Sequence, residues 1–396
     1  MASPQARGER TSWRPFVAGS FAFFTVMAGA TLPTPLYPLY SSTYGFSPFV
    51  ITTIFAVYSV GVIGALLLTG PWSEQVGRKP LLLGGLAMAV LSAIAFVFAS
   101  GLPLLLLARL LQGISVGIFT SSGTVAVGEM APDKHPKVAS MGATAANMGG
   151  LGAGSILSAL VVWLLPAPLV SPYLVHLAMV AGAIALLLRV PEPGPRAEHP
   201  RLRPQGLGVP SAVRGLFVPA AISAFAGFMV CGFMGSVAPS YLGQVLDHRG
   251  DHVLIGTVAG LIFLASCFGQ IVGEELSKSR VLPVGMGVLS LGIGCITLAL
   301  WAQTLPGLAA AIVVAGLGHG IAFKGGLAAV VQNAPDGQAS HVTATYFTVA
   351  YVAISIPVMV VGILTDPVGL VPTAIGYGAV STLLSVMAFA IILRRG

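Results

Sequence analysis

The chain has 396 residues, 56% of them hydrophobic and only 8% charged, with a formal net charge of +7. An ordinary soluble domain carries about a quarter charged residues; with a mean hydropathy of +0.92, a water-soluble globule is excluded and an integral membrane protein is expected. The positive balance does not indicate nucleic acid, which would call for a basic patch interleaved with exposed aromatics.

Read from the start, Arg7, Arg10 and Arg14 precede an apolar stretch, as in a signal peptide, but the stretch is too long and no small-residue cleavage site ends it before Pro33. It is expected to be a retained first span. A span needs about 20 mostly apolar residues, and such runs fall near 15–38, 48–69, 80–100, 103–127, 137–164, 172–190, 214–242, 253–274, 281–302, 306–331, 340–364 and 370–393. The fold class is therefore all-α integral membrane with twelve spans. The Pro- and Arg-rich break at 191–213 reads as a linker between an N-terminal half, 1–190, and a C-terminal half, 214–396.

The cations set an orientation. One side takes Arg7, Arg10, Arg14, Arg78, Lys79, Lys134, Lys137, Arg189, Arg196, Arg201, Arg203, Arg214, Lys278, Arg280, Arg394 and Arg395; the other takes Arg249, while Arg109 and Lys324 lie within runs. Basic loops stay cytoplasmic, so both termini and the linker are expected in the cytoplasm of a bacterial cell, with the chain in its inner membrane. Cys231, Cys267 and Cys295 each sit inside an apolar run without C-x-x-C spacing and read as small buried hydrophobes, with neither disulfide nor metal role.

The two halves repeat. Gly113…Gly117…Glu129-Met130-Ala131-Pro132-Asp133 returns 203 residues later as Gly316…Gly320…Gln332-Asn333-Ala334-Pro335-Asp336. Gly29-x-x-x-Pro33-Thr34 returns as Gly235-x-x-x-Pro239-Ser240, and Glu275…Lys278…Arg280 is a degraded echo of Glu74…Arg78-Lys79.

Between the second and third runs lies Gly70-Pro71-Trp72-Ser73-Glu74-Gln75-Val76-Gly77-Arg78-Lys79, a tight polar turn in a charge-poor chain. It resembles the signature loop of the major facilitator superfamily of secondary transporters: Gly, three residues, an acid, a usually basic residue, any residue, Gly and two basic residues. Gly70, Glu74, Gly77, Arg78 and Lys79 fill it, with Glu in place of the commoner Asp and Gln75 in place of a cation. The resemblance implies two six-helix repeats with a substrate site between them near the midplane. It also implies a gating role for this loop, in which Glu74 and Arg78 join Glu129 in a cluster that breaks between conformations.

In the fourth run, Arg109-x-x-Gln112-Gly113 resembles the family signature whose Arg assists proton transfer; the alternative is a structural Arg that holds helix ends through backbone carbonyls. Gly113 and Gly117 read as close-packing positions. The fifth run carries Gly142, Ala146, Gly150, Gly154 and Ser158 at four-residue spacing. Gly150 and Gly154 match part of a pattern in the proton-antiporter branches, although Ser155 replaces its Pro and Ser158-Ala159 its paired glycines. Plain helix packing accounts for the same ridge.

Lys324 shares a small-residue ridge with Gly316, Gly320 and Ala328, so it is expected to face the bundle and meet an anionic substrate group, unless it snorkels to the interface. His319 titrates near neutral pH when unperturbed, or is a hydrogen-bonded core histidine. Asn147 and Gln112 are candidate polar lining. Tyr37 and Tyr241, beside Pro33, Pro35, Pro38 and Pro239, are candidate gate or cavity lining, or interfacial tyrosines.

Gly113-Ile-Ser115-Val-Gly117 matches a hydrolase nucleophile pattern but lacks the strand-to-helix turn that the pattern requires. An intramembrane hydrolase with His319 as base is the remote alternative, and no enzyme activity is expected. Gly149-Gly150-Leu-Gly152-Ala-Gly154 has no preceding strand for a dinucleotide, and no Walker loop is present; no cofactor and no metal are expected. The reading is a monomeric, proton-coupled exporter of a drug-like or secondary-metabolite amphiphile in contact with membrane lipid. Its alternative is uptake, by symport or facilitation, of an anionic carboxylate metabolite.

Overall fold

A computed structural model describes residues 12–70, 72–194, 197, 204, 206–335 and 338–394, with Glu74 described by its backbone alone. Arg7, Arg10, Pro71, Arg196, Arg201, Arg203, Asp336, Arg395 and the Glu74 side chain lie outside the described residues.

Among those residues no strand occurs, and twelve helices are long and apolar enough to cross a membrane. They are α1 (Arg14–Tyr44), α2 (Pro48–Thr69), α3 (Arg78–Val97), α4 (Leu102–Met130), α5 (Pro136–Leu164), α6 (Ser171–Leu188), α7 (Ser211–Ser236), α8 (His252–Gly273), α9 (Val281–Trp301), α10 (Leu305–Gln332), α11 (Ala339–Val368) and α12 (Leu370–Leu393). Several open on a proline in the first turn, where its missing N–H costs nothing: Pro48, Pro103, Pro136, Pro172 and Pro306.

The prolines also explain where the spans depart from the apolar runs. The α-helix of α1 stops at Thr31, a 3₁₀ turn covers Thr34–Leu36, and helix resumes at Tyr37–Tyr44, because Pro33 and Pro35 cannot donate to the preceding turn. The seventh run divides into the helix ending at Ser236 and a separate short helix, Ala238–Gln244, with Pro239 in its first turn. Helices α4 and α11 outrun their apolar stretches, to Met130 and Val368.

Glycines set how near the helices come. A Cβ on Gly113 would run into the Tyr58 carbonyl of α2, and one on Gly154 into the Ala28 carbonyl of α1; on Gly117 and Gly150 it would meet Val62 O at 2.6 Å and Phe24 O at 2.8 Å. In lipid, where helices gain nothing by hiding apolar surface from one another, such backbone proximity supplies the packing.

The same device joins the first six spans to the last six. Gly256 and Gly260 of α8 lie against Ser155 and Gly152 of α5, Gly362 of α11 against Thr52 and Phe49 of α2, and Gly235 of α7 against Phe55. At the end of the bundle that carries Pro48, Gln244 and Leu370, these contacts leave a hollow of only about 50 Å³. The other end carries the segments 70–79, 131–137 and 274–280, with Arg78, Lys79, Lys134, Lys137, Lys278 and Arg280; a cavity between the helices opens at this basic face.

Candidate functional site

A cavity of about 550 Å³ opens on the basic face between α4 and α5 on one side and α8, α10 and α11 on the other. Its mouth carries Pro132, Asp133 and Pro136; Ala143, Phe323, Leu327 and Phe347 make apolar wall, and Thr124, Ser140, Thr144, Asn147, Gln270 and Lys324 are its polar groups. Asn147 lies within a π-helical turn, Ala145–Gly149. One extra residue per turn rotates the side chains that follow it, a distortion common at functional sites.

Lys324 is about one quarter exposed and pairs with Glu274, one residue past the end of α8. Ser140 of α5 ties both together: its hydroxyl donates to Glu274 Oε1 at 2.6 Å and lies 3.4 Å from Lys324 Nζ. Partial burial works against the Glu274 carboxylate, but hydrogen bonds from Lys324 and Ser140 and the charges of Lys324 and Lys137 outweigh it and hold the group below its usual value. Lys137 and Glu275 make a second pair at 3.7 Å, both largely exposed. Gln270 is 7% exposed, one turn before Glu274 on α8, and its Nε2 has no hydrogen-bond partner among the described residues.

Arg109 occupies a different place. It is 1% exposed and has no carboxylate within reach among the described residues. Its guanidinium donates to the carbonyls of Ala30 (3.0 Å) and Ile54 (3.3 Å) and to the Gln112 side chain, while Gln112 Nε2 donates to the Gly29 carbonyl. At the break in α1, Arg109 takes the Ala30 carbonyl, and the Gly29 carbonyl accepts from Gln112 as well as from the N–H of Leu32. Arg109 also lies over Tyr58, 4.8 Å from the ring centroid, and Tyr58 meets Tyr351 of α11 edge-on at 6.2 Å. Through those rings the charge borders the junction between first and last six spans.

On the basic face, Arg78 joins the Glu129 carboxylate at 3.1 and 3.2 Å and also bonds Ser73. Gly77, at φ 99°, is the residue the turn requires. Just past it, the backbone N–H groups of Arg78 and Lys79 donate to Glu192 Oε1 at 2.7 and 3.2 Å, and Lys79 Nζ donates to the carbonyls of Leu188 and Val190. Gly70 caps α2 in ordinary helical geometry. Every described contact of this loop runs to the first six spans or to residues just after them.

The remaining candidates are dispersed. His319 is 2% exposed, with Nδ1 2.9 Å from Ser266 Oγ, and stands behind Phe323, whose ring stacks on it at 5.8 Å. Tyr37 is buried, its hydroxyl without a hydrogen-bond partner among the described residues, edge-on to Phe55, whereas the Tyr241 hydroxyl donates to the Leu300 carbonyl of α9. Ser115 donates to the Gly85 carbonyl in the α3–α4 packing, with no contact to His319. So Asn147 and Lys324 share the cavity, Arg109 and Gln112 share a buried nest, and Tyr241 joins neither.

Sequence reasoning passed over Gln270, Ser140, Phe347, Glu192 and the pairing of Glu274 with Lys324. Gln270 and Glu274 at i, i+4 on one helix face were the available signal.

Comparison with known proteins agrees with the helical pattern. The family model described as Major Facilitator Superfamily matches residues 19–358. The chain is similar to a chloramphenicol resistance protein of Pseudomonas aeruginosa, 26% identical over 89% of this chain and 86% of that one. It also resembles a putative proline/betaine transporter of Staphylococcus haemolyticus, 27% identical over 72% of this chain and 64% of that one. A shorter stretch, 19% of this chain and 18% of the relative, is 34% identical to the multidrug resistance protein MdtM of Escherichia coli O157:H7.

Proposed function

This chain belongs to the major facilitator superfamily and is a transporter, not an enzyme; from that premise we propose that it exports a small drug-like amphiphile in exchange for protons. The basic face is cytoplasmic, the membrane is the bacterial inner membrane, and the first six and last six spans are two halves that rock about the cavity. The carrying observation is the cavity itself: about 550 Å³, with an apolar wall of Phe323, Phe347 and Leu327 beside the polar groups Ser140, Asn147, Gln270 and Lys324, at the basic face. That is the size and chemistry of a site for a small amphiphile. The name of the Pseudomonas relative favours export of such molecules. Glu274 supports the proton as coupling ion, because its bonds to Ser140 of one half and Lys324 of the other hold it charged in this arrangement, and parting of the halves would return its proton affinity toward that of an ordinary carboxyl. Uptake of an anionic carboxylate metabolite is the second reading, favoured by Lys324 at the cavity wall.

Inverted membrane vesicles with an acid interior and a pH-sensitive dye separate the readings. Addition of chloramphenicol or another amphiphile should release protons from the lumen and restore dye fluorescence in vesicles that hold this protein and not in those that lack it. No recovery with cationic, neutral or anionic amphiphiles overturns proton-coupled export.

A further inference from the structure

We infer that the cavity contains an anion subsite, in which the ammonium of Lys324 and the side-chain amide of Gln270 receive an anionic group on an otherwise apolar cargo, displacing Glu274 as resident counter-ion. The inference rests on the reading of this cavity as the cargo site and adds the charge of the cargo.

Four observations converge. Lys324 lines the cavity and Glu274 is not among its lining residues, so the ammonium is the charged end of the pair that faces the cavity. A lysine inside a span needs a partner, and Glu274 meets that need. Of the three N–H donors on an ammonium, Glu274 and Ser140 occupy two. The buried unpartnered atom of Gln270 is Nε2, which is a donor: leaving it unsatisfied costs free energy that only an acceptor recovers.

These features select against a cation. A cationic cargo would face the ammonium of Lys324 in the cavity and would leave the Gln270 donor unsatisfied. The charged groups near the pair are Glu275 after α8, Lys137 of α5 and Asp133 in the loop before α5. Phe323, Phe347 and Leu327 receive the apolar remainder of the cargo.

The test is calorimetric titration of the purified full chain in detergent with 4-phenylbutyrate, its neutral amide and the matching primary amine. The carboxylate should bind most tightly. Lys324→Gln should weaken carboxylate binding about tenfold or more, the scale of one charge-assisted hydrogen bond, and leave amide binding within about a factor of two. Glu274→Gln should tighten carboxylate binding, because the competing counter-ion is gone. The double variant Lys324→Gln/Glu274→Gln, which leaves no lone charge, should fold and still lack the preference. Equal binding of the three probes, preference for the amine, no binding of the carboxylate, or an unchanged carboxylate affinity in Lys324→Gln each overturns the inference. Because the titration needs no gradient, a failed vesicle assay leaves it intact, and its own failure leaves proton-coupled export intact.

Discussion

The first six and last six spans use equivalent positions of one repeat in opposite ways. Arg109 and Gln112 of α4 correspond, 203 residues on, to Ile312 and Ala315 of α10, both fully buried and apolar. Lys324 of α10 corresponds to Ser121 of α4. The first set therefore places its intramembrane cation in the part of α4 away from the basic face and satisfies it with backbone carbonyls, whereas the last set places its cation toward the basic face, against a carboxylate and a cavity. Arg109 is held by two carbonyls and the Gln112 side chain in a buried nest, whereas Lys324 is held by one carboxylate and one hydroxyl at a cavity wall. The loop clamps differ in the same sense. Arg78 grips Glu129 with two bonds and is 8% exposed, while its counterpart on the other side, Lys278, meets only the neutral Gln332 at 3.0 Å in an exposed setting.

The largest effect expected from this contrast is at Arg109. Arg109→Ala leaves the carbonyls of Ala30 and Ile54 and the Gln112 oxygen without their donor, and each buried unsatisfied group costs roughly 1–3 kcal/mol. A loss on the order of 3 kcal/mol should appear as a lowered thermal midpoint in detergent, and Arg109→Lys should not restore it, because a compact ammonium lacks the planar fork that spreads the guanidinium donors over α1 and α2. Lys324→Ala should cost far less. A normally stable Arg109→Ala protein with only its proton coupling lost would reverse the assignment of the two cations.

At the clamps, Arg78→Ala should slow transport in vesicles by about tenfold, the equivalent of roughly 1.4 kcal/mol, while the amount of folded protein changes little. Lys278→Ala should leave the rate within about a factor of two, since exposed polar pairs contribute little. Equal rates in the two variants would dissolve the contrast between the loops. A packing control is available in the same helix: Gly113→Ala, which drives a methyl into the Tyr58 carbonyl, should destabilise by about 1–3 kcal/mol, and Gly128→Ala, which meets nothing within 4 Å, should not.

Much of this architecture was legible in the chain because lipid leaves few options: a span must be apolar and helical, so twelve runs gave twelve helices, and Pro33 and Pro239 marked where two of them break. The loop signature and the Arg109 motif were legible as patterns, but their partners were not. Glu192 lies over a hundred residues from the N–H groups it caps, and Ser140 and Glu274 come from different sets of spans; proximity of that kind is set by how helices cross, which local sequence does not encode. Tyr241 shows the converse. Its kinked, aromatic neighbourhood resembled cavity lining, yet its hydroxyl closes onto the Leu300 carbonyl.

The smallest effect belongs to the Glu274–Lys324 pair, through pH. Because Glu274 is held below its ordinary carboxyl value, the unfolded chain takes up the proton first as pH falls. The pair's contribution to stability is therefore fully present above the unfolded carboxyl range near pH 4.5 and is lost as pH drops through the lower folded value. With both side chains partly exposed to solvent, the change should be small, ~1 °C in the thermal midpoint. The measurement is the difference between wild type and Glu274→Gln in midpoints taken at pH 7 and pH 4, in which all other carboxyl groups cancel. Wild type should lose more than the variant. An equal loss would mean that Lys324 draws no net stability from Glu274, and the cation of the last six spans would then stand ready for an anion at neutral pH without any counter-ion to displace.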